Sequence, residues 1–401
     1  EKRKTVLSSI LNTVFIISVL LSTIGLIFTN QISFLLLGSS AFAQLFFIVF
    51  LSLFFENIYF FLLYYFKTLE KYKFVVFITT ISSSTNFILN ILLVYYFSLG
   101  IQGIFIAQLV SSAVIVFVLV PFIFRDYYIS VNTELLKKVF KFSAPLFIGS
   151  IFAVLLEVVD RYFIDYFLDT SEVGIYSFSY RIALVMNLFV ISFRTAWAPR
   201  AISNYREENY SNDFGKIFTK LIASTIFVFI IVSLFIGDFF DIKVFGYEIF
   251  NNSYKPGIEI IPVVLLGYIF SGFSGFYSVY PFVSGKSKHF LISDVSALII
   301  NVVLNILLIP TFGIMGAAVA TLAGLSFNTF YLLLVSRNNI KINYETNKAV
   351  IIIISGVICF AVGFHINLFW LDILLIAGFI FVIKNTLEIS FEKLLSFFKS
   401  P

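Results

Sequence analysis

Residues 86–97 read NFILNILLVYYF, and the pattern returns at residues 301–312 as NVVLNILLIPTF, identical at seven of twelve positions. Each copy is followed by a glycine pair, Gly100-Ile101-Gln102-Gly103 after the first and Gly313-Ile314-Met315-Gly316 after the second. Upstream, Lys71-Tyr72-Lys73 stands at the same offset from its copy as Lys286-Ser287-Lys288 from the other, and downstream Ala107 matches Ala320. A chance match between apolar runs would not reproduce the paired Asn and Gly positions, so the chain carries an internal repeat.

Composition sets the medium in which that repeat folds. Of 401 residues, 60% are hydrophobic and 12% charged, with a mean hydropathy of +1.01. Soluble domains carry about 25% charged residues, and a soluble chain of this make-up would have nothing to cover its apolar helices. Twelve apolar runs suit a hydrocarbon core about 30 Å thick: 6–28, 41–66, 74–97, 101–124, 142–168, 173–196, 217–236, 258–283, 290–309, 315–335, 349–364 and 368–383. They lack the period-2 alternation of strands, and a helix satisfies its own backbone in lipid. The expected fold class is all-α and polytopic in a lipid bilayer.

Lys and Arg orient the spans. Taking alternate connections, 22 of the 27 basic residues fall in 1–4, 67–73, 125–141, 200–220, 286–288, 337–348 and 384–399. The opposite set holds Lys243 and Lys255. The basic set reads as the cytoplasmic side of a cell (inner) membrane, with both ends of the chain there. This sidedness accounts for the net charge of +5 without a nucleic-acid partner. The tail at 388–399, EISFEKLLSFFK, reads either as a helix lying on that surface or as a frayed end.

The two copies lie six spans apart, an even number, so they enter the membrane in the same sense. That is a parallel repeat about an axis along the membrane normal. Residues 1–124 then form a first lobe, 125–141 a cytoplasmic linker, 142–336 a second lobe of six helices, and 337–401 two appended helices with a tail. Aligned on the repeat, the first lobe has four helices where the second has six. With Glu1 rather than Met at the start, this reads as a first lobe lacking its N-terminal hairpin.

Charge interrupts the spans chiefly at 142–200. Glu157, Asp160, Arg161 and Asp165 fall in the first helix of the second lobe, Arg181 and Arg194 in the next. Glu56 stands alone in FFENIYFFLLYYF. A charge at mid-bilayer costs about 2.5–3.5 kcal/mol, and these seven would cost roughly 20 kcal/mol facing lipid, so they face protein or water. At about 1.5 Å per residue, Asp160 and Arg181 lie at similar depth. Glu157, Arg161 and Asp165 recur at i, i+4, i+8 on one face. In one reading the charges neutralise one another as buried ion pairs that fix the hairpin. In the other they line a water-filled cleft. There Arg181, Arg194 and Arg161 bind an anionic group, and a carboxylate among Glu157, Asp160, Asp165 and Glu56 couples to H+ or Na+. The Asn86/Asn90 and Asn301/Asn305 pairs are expected to hydrogen-bond between helices.

Nothing points to an enzyme, a metal or a cofactor. Cys359 is the single cysteine, His289 and His365 lie far apart, and neither glycine pair is followed by Lys-Ser/Thr. No nucleophile, base and orienting residue come together.

Ser143-Ala144-Pro145-Leu146, Val159-Asp160-Arg161-Tyr162 and Glu172-Val173-Gly174-Ile175-Tyr176-Ser177, together with LNILLIPTFGIMGAAVA at 304–320, resemble the polysaccharide biosynthesis or oligosaccharide flippase family. Its members include Wzx-type O-antigen and capsule repeat-unit flippases of the multidrug/oligosaccharidyl-lipid/polysaccharide exporter superfamily. The resemblance implies two pseudo-symmetric, MATE-like lobes in a V around a central cavity, with two extra C-terminal helices. It also implies a cargo of polyprenyl pyrophosphate-linked glycan (an O-antigen of lipopolysaccharide, capsule or exopolysaccharide repeat unit) moved between leaflets by alternating access. A cationic cavity suits a pyrophosphate, because Arg binds phosphate oxygens bidentately. The rival readings are a cation-coupled multidrug exporter of the same superfamily, which wants a carboxylate-centred cavity, and a non-transporting membrane scaffold that partners glycan polymerases or transferases.

Overall fold

A computed structural model describes residues 2–69, 71–123, 132–205, 209–241, 243–244, 247–248, 250–366 and 368–388. Five helices come first: α1 Lys2–Ile27, α2 Thr29–Leu37, α3 Ala43–Thr68, α4 Tyr72–Asn90 and α5 Gly100–Ile123. Then follow α6 Thr133–Phe167, α7 Thr170–Asn204, α8 Tyr210–Asp241, α9 Ile261–Tyr277, α10 Val279–Val283, α11 Lys288–Arg337, α12 Thr346–Ile366 and α13 Phe369–Leu387. A short hairpin, β1 Lys243–Val244 against β2 Tyr247–Glu248, lies between α8 and α9 with a 3-10 segment, Asn252–Ile260.

Eleven of these segments are long and apolar enough to cross a membrane. The 50-residue α11 is two spans in one, because Gly313 interrupts it with φ 57 and ψ −141. The expected all-helical, polytopic architecture is the one observed. Large apolar side chains point outward, Phe117 at 70% exposure and Phe147 at 67% among them, as a surface facing lipid requires.

The helices run past the hydrocarbon where their sequence stays helix-forming. α6 begins at Thr133, and the Asn132 side chain accepts the Leu135 N–H at 3.0 Å. Part of the stretch read as a linker, 125–141, is therefore the opening of a 35-residue helix, since Glu, Leu and Lys favour helix. Residues 124–131 lie outside the described residues, as does the tail beyond Glu388. At the other end of α6 the chain turns through Asp169, whose side chain caps α7 by accepting the Glu172 N–H at 2.9 Å.

The chain divides into two compact units, Glu1–Phe140 and Lys141–Pro401, with the border inside α6. In the first, Leu62, Phe66, Ile78, Ile115 and Leu119 of α3, α4 and α5 form the core. In the second, Tyr176, Met186, Ile230, Leu265 and Ile309 form a larger core. Near the Lys/Arg-bearing ends, Trp197 of α7 stacks on Phe276 of α9, centroids 4.9 Å apart and 11° from parallel.

The repeat is visible in the backbone of each unit. Gly100 has φ 54, and a Cβ on Gly103 would lie 3.1 Å from the Leu93 carbonyl carbon. Gly313 has φ 57, and a Cβ on Gly316 would lie 2.5 Å from the Leu308 oxygen. Leu93 and Leu308 are equivalent positions of the two NILL runs. The first glycine of each pair turns the chain through a left-handed conformation. The second lets the outgoing helix lie against the incoming backbone. Gly316→Ala is expected to cost about 1–3 kcal/mol through overpacking. It should lower the melting midpoint in detergent more than Gly103→Ala, whose neighbour stands farther off. Equal shifts would show that backbone approach does not set the turn.

Candidate functional site

Asp160, fully buried on α6, is the centre of a polar node in the second unit. Asn301 and Asn305 donate to its Oδ1 at 3.0 and 2.7 Å. The Tyr176 hydroxyl donates to Oδ2 at 2.6 Å, and the Thr321 hydroxyl donates there as well. The donors come from α7 and from both halves of α11. The Asn301/Asn305 pair thus bonds between helices, and in the first unit Asn86 donates to Gln108 of α5 at 2.9 Å. Asn305 also donates to Asn301 Oδ1 at 3.0 Å, which leaves Asn305 Oδ1 buried without a partner. A carboxylate removed from water needs donors on both oxygens, and here they are hydroxyls and amides.

The other charges of 142–200 separate. Arg161 donates Nη1 to the Glu157 carbonyl at 2.6 Å and Nε to Ser177 Oγ at 3.2 Å, with its guanidinium 5.2 Å from the Tyr180 ring centroid. Asp165 accepts the Thr170 hydroxyl at 2.8 Å beside the α6–α7 turn. Arg181 is exposed on α7. Among the described residues no ion pair joins any of the six charges to another. Hydroxyls, amides, a carbonyl and an aromatic face supply the partners of Asp160, Arg161 and Asp165.

Arg194 is different. It lies beside a cavity of about 480 Å³, lined also by Glu157 of α6, Ser271 and Ser274 of α9, and Asp294 and Asn328 of α11. Two glycines let α7 approach α9 here. A Cβ on Gly272 would meet Val190 at 3.1 Å, and one on Gly275 would meet Arg194 Nε at 2.4 Å. Nη2 donates to the Ser271 carbonyl, to Ser271 Oγ at 2.9 Å and to Ser274 Oγ at 3.1 Å. Nε is buried without a partner, and Nη1 donates to none of the described residues. Asp294 accepts Asn328 Nδ2 at 2.8 Å. Glu157 and Asp294 share the cavity, yet neither forms an ion pair with Arg194 among the described residues. With Nη2 anchored on the serines and Nε buried, Nη1 is the nitrogen of Arg194 left to donate to an oxyanion.

Of the residues singled out from sequence, the fold brings Arg194 and Glu157 to one cavity and leaves Asp160 in the adjoining node. Arg181, Arg161 and Asp165 lie elsewhere. Glu56 belongs to the first unit, where its Oε1 accepts Gln108 Nε2 at 2.7 Å. Asp294 and Asn328 escaped the sequence reading. Asp294 interrupts the run 290–309 and was visible as an intramembrane charge, whereas Ser271 and Ser274 in SGFSG gave no signal.

Residues 1–204, half of the chain, match the pattern of the polysaccharide biosynthesis protein family, and the chain belongs to that family. A curated relative, the probable low-salt glycan biosynthesis flippase Agl15 of Haloferax volcanii, is 28% identical over 213 residues. The match covers 50% of this chain and 43% of that protein, so the chain spans less than half the length of that relative. Among solved structures, the lipid II flippase MurJ in an inward closed conformation aligns with a TM-score of 0.68 at 20% identity, over 97% of this chain and 86% of its own. A variant of the Vibrio cholerae MATE transporter VcmN gives 0.69 at 14% identity, over 84% and 78%. The protein is thus a multi-pass membrane protein with a MATE-like fold.

The node and the cavity differ in what they hold up. Asp160→Ala removes the acceptor of four buried hydrogen bonds, while Asn301 still donates to Thr321 and Asn305 to Asn301; at about 1–3 kcal/mol for each donor left unmatched, it should sharply reduce monodisperse protein in detergent. Arg194→Ala, whose serine partners can bond elsewhere, should leave yield near that of the parent. Size-exclusion profiles of the two variants check the ordering.

Proposed function

We propose that this protein is a flippase for a polyprenyl pyrophosphate-linked oligosaccharide, an O-antigen, capsule or exopolysaccharide repeat unit, working by alternating access. The observation that carries the reading is Arg194, a buried guanidinium with unused donors beside a cavity of about 480 Å³. The cavity lies toward the helix ends that carry Lys141, Arg200, Lys286, Lys288 and Arg337. If those ends are cytoplasmic, as the basic loops indicate, the anion is met on the side where such cargo is presented. Nη1 of Arg194 donates to a pyrophosphate oxygen. Glu157 and Asp294, in the same cavity, weaken the hold enough for release. Arg181, exposed on α7, adds long-range attraction for the anion.

The family and the likeness to Agl15 support a glycan cargo. The cavity itself weighs against a scaffold that only packs. Its two carboxylates are the feature that favours the second reading, export of cationic drugs.

Coupling to H+ or Na+ is assigned to the Asp160 node. Asn305 Oδ1 is its unpartnered acceptor, beside carboxylate and hydroxyl oxygens of the kind hard cations choose.

In vesicles reconstituted with lipid-linked glycan, Arg194→Ala should abolish translocation, about a hundredfold or more, and Arg181→Ala should slow it several-fold. Normal transport by Arg194→Ala would sink the site. Raised drug susceptibility on deletion, with surface polysaccharide intact, would favour the exporter. Asn305→Ala should shift the Na+ or pH dependence of transport, and an unchanged dependence would remove the node from coupling.

A further inference from the structure

We propose that the first unit carries a saccharide site of its own, in the groove between α3, α4 and α5. It would take the hydroxyl-rich glycan of the cargo, and the choice of a glycan over another polyol rests on the function proposed above. The groove has a volume of about 470 Å³, within the range of small-molecule pockets of about 300–1,000 Å³. Polar side chains from three helices line it, including Glu56, Ser82, Ser83, Asn86 and Gln108.

The chemistry of the lining follows from one directional relay. Asn90 Nδ2 donates to Asn86 Oδ1 at 2.8 Å, Asn86 Nδ2 to Gln108 Oε1 at 2.9 Å, and Gln108 Nε2 to Glu56 Oε1 at 2.7 Å. Both amide carbonyls on the groove accept one bond within the relay. Asn86 and Gln108 each keep a second N–H, Asn90 spends both of its own on Asn86, and Glu56 keeps Oε2. The hydroxyls of Ser82 and Ser83 bond to no described residue.

Three ligand classes can be set against that pattern. A hard cation needs several oxygen ligands free of competing donors, and here the remaining N–H groups of Asn86 and Gln108 stand beside the one carboxylate of the relay. An anion would meet that carboxylate, and Lys67, the cation among the lining residues, lies over the Tyr64 ring at 5.0 Å. A neutral polyol, whose hydroxyls both donate and accept, finds N–H donors, a carboxylate and free hydroxyls side by side. The rings of Tyr59, Phe60 and Tyr64 border the groove and offer apolar faces to the C–H faces of a sugar.

The second unit supplies the control. On the repeat, Asn86 and Asn90 correspond to Asn301 and Asn305, and Gln108, next to Ala107, corresponds to Thr321. There the carboxylate comes from α6, and Asn301, Asn305 and Thr321 are 0%, 0% and 1% exposed. In the first unit the carboxylate comes from α3, and the amides border an open groove. One polar pattern is sealed in one unit and left available in the other.

Binding to the full chain in detergent tests this with two probes. One is the oligosaccharide released by mild acid from the host's lipid-linked pool, free of lipid and pyrophosphate. The other is polyprenyl pyrophosphate without sugar. Gln108→Leu should weaken the released oligosaccharide at least tenfold, and the paired Ser82→Ala, Ser83→Ala variant, which disturbs no internal bond, several-fold. Polyprenyl pyrophosphate binding should be unchanged in both, while Arg194→Ala gives the opposite pattern. The site is overturned if the parent does not bind the released oligosaccharide, or if both groove variants bind it normally. It is also overturned if Glu56→Gln alters only the Na+ or pH dependence of transport, leaving oligosaccharide affinity intact. Undiminished pyrophosphate binding by Arg194→Ala would instead count against the function proposed above.

Discussion

A polar side chain inside a bilayer has no water to fall back on, so its partner must come from another helix. Asp160 shows what that constraint does. Its two oxygens collect donors from α7 and from both halves of α11, which ties three helices together at one height. The Trp197–Phe276 stack holds α7 to α9 nearer the basic ends. Between these fixed points the glycines at 272 and 275 let α7 come close to α9. That approach is what carries Arg194 to the serines of α9 and to the cavity.

The site that results has mixed sign. Under the function proposed above, a lone arginine would hold a pyrophosphate without favouring its release, and a carboxylate pair alone would prefer a cation. Arg194 with Glu157 and Asp294 in one cavity combines an anion grip with nearby repulsion. In the low dielectric of such a site small changes of geometry alter both terms strongly. Under the function proposed above, that sensitivity would serve binding on one side and release on the other.

The two units use one sequence pattern to different ends. Asparagines at i and i+4, followed by a glycine pair and a polar residue, occur in both, and in both the first glycine of the pair is left-handed. What differs is the origin of the carboxylate. Supplied from α6, it fills the space between the amides. Supplied from α3, it leaves them beside a groove.

Much of this was legible in the residues alone. Hydropathy and span length determined a helical membrane protein, because lipid leaves the backbone few other choices. The Asn and Gly positions of the two NILL runs determined a parallel repeat. The cost of charge in lipid required Glu157, Asp160, Arg161 and Arg194 to face protein or water. Which of them would meet was decided only by the tertiary structure. Asp160 finds its amide and threonine donors 141 to 161 positions along the chain, Arg161 is taken up by Ser177 and Tyr180, and Arg194 is left with donors to spare. Periodicity shows which face of a helix is polar, but in a membrane both the lipid and the packed interior are apolar. The pattern therefore does not say which helices meet, and the pairing of charges waits on how they cross.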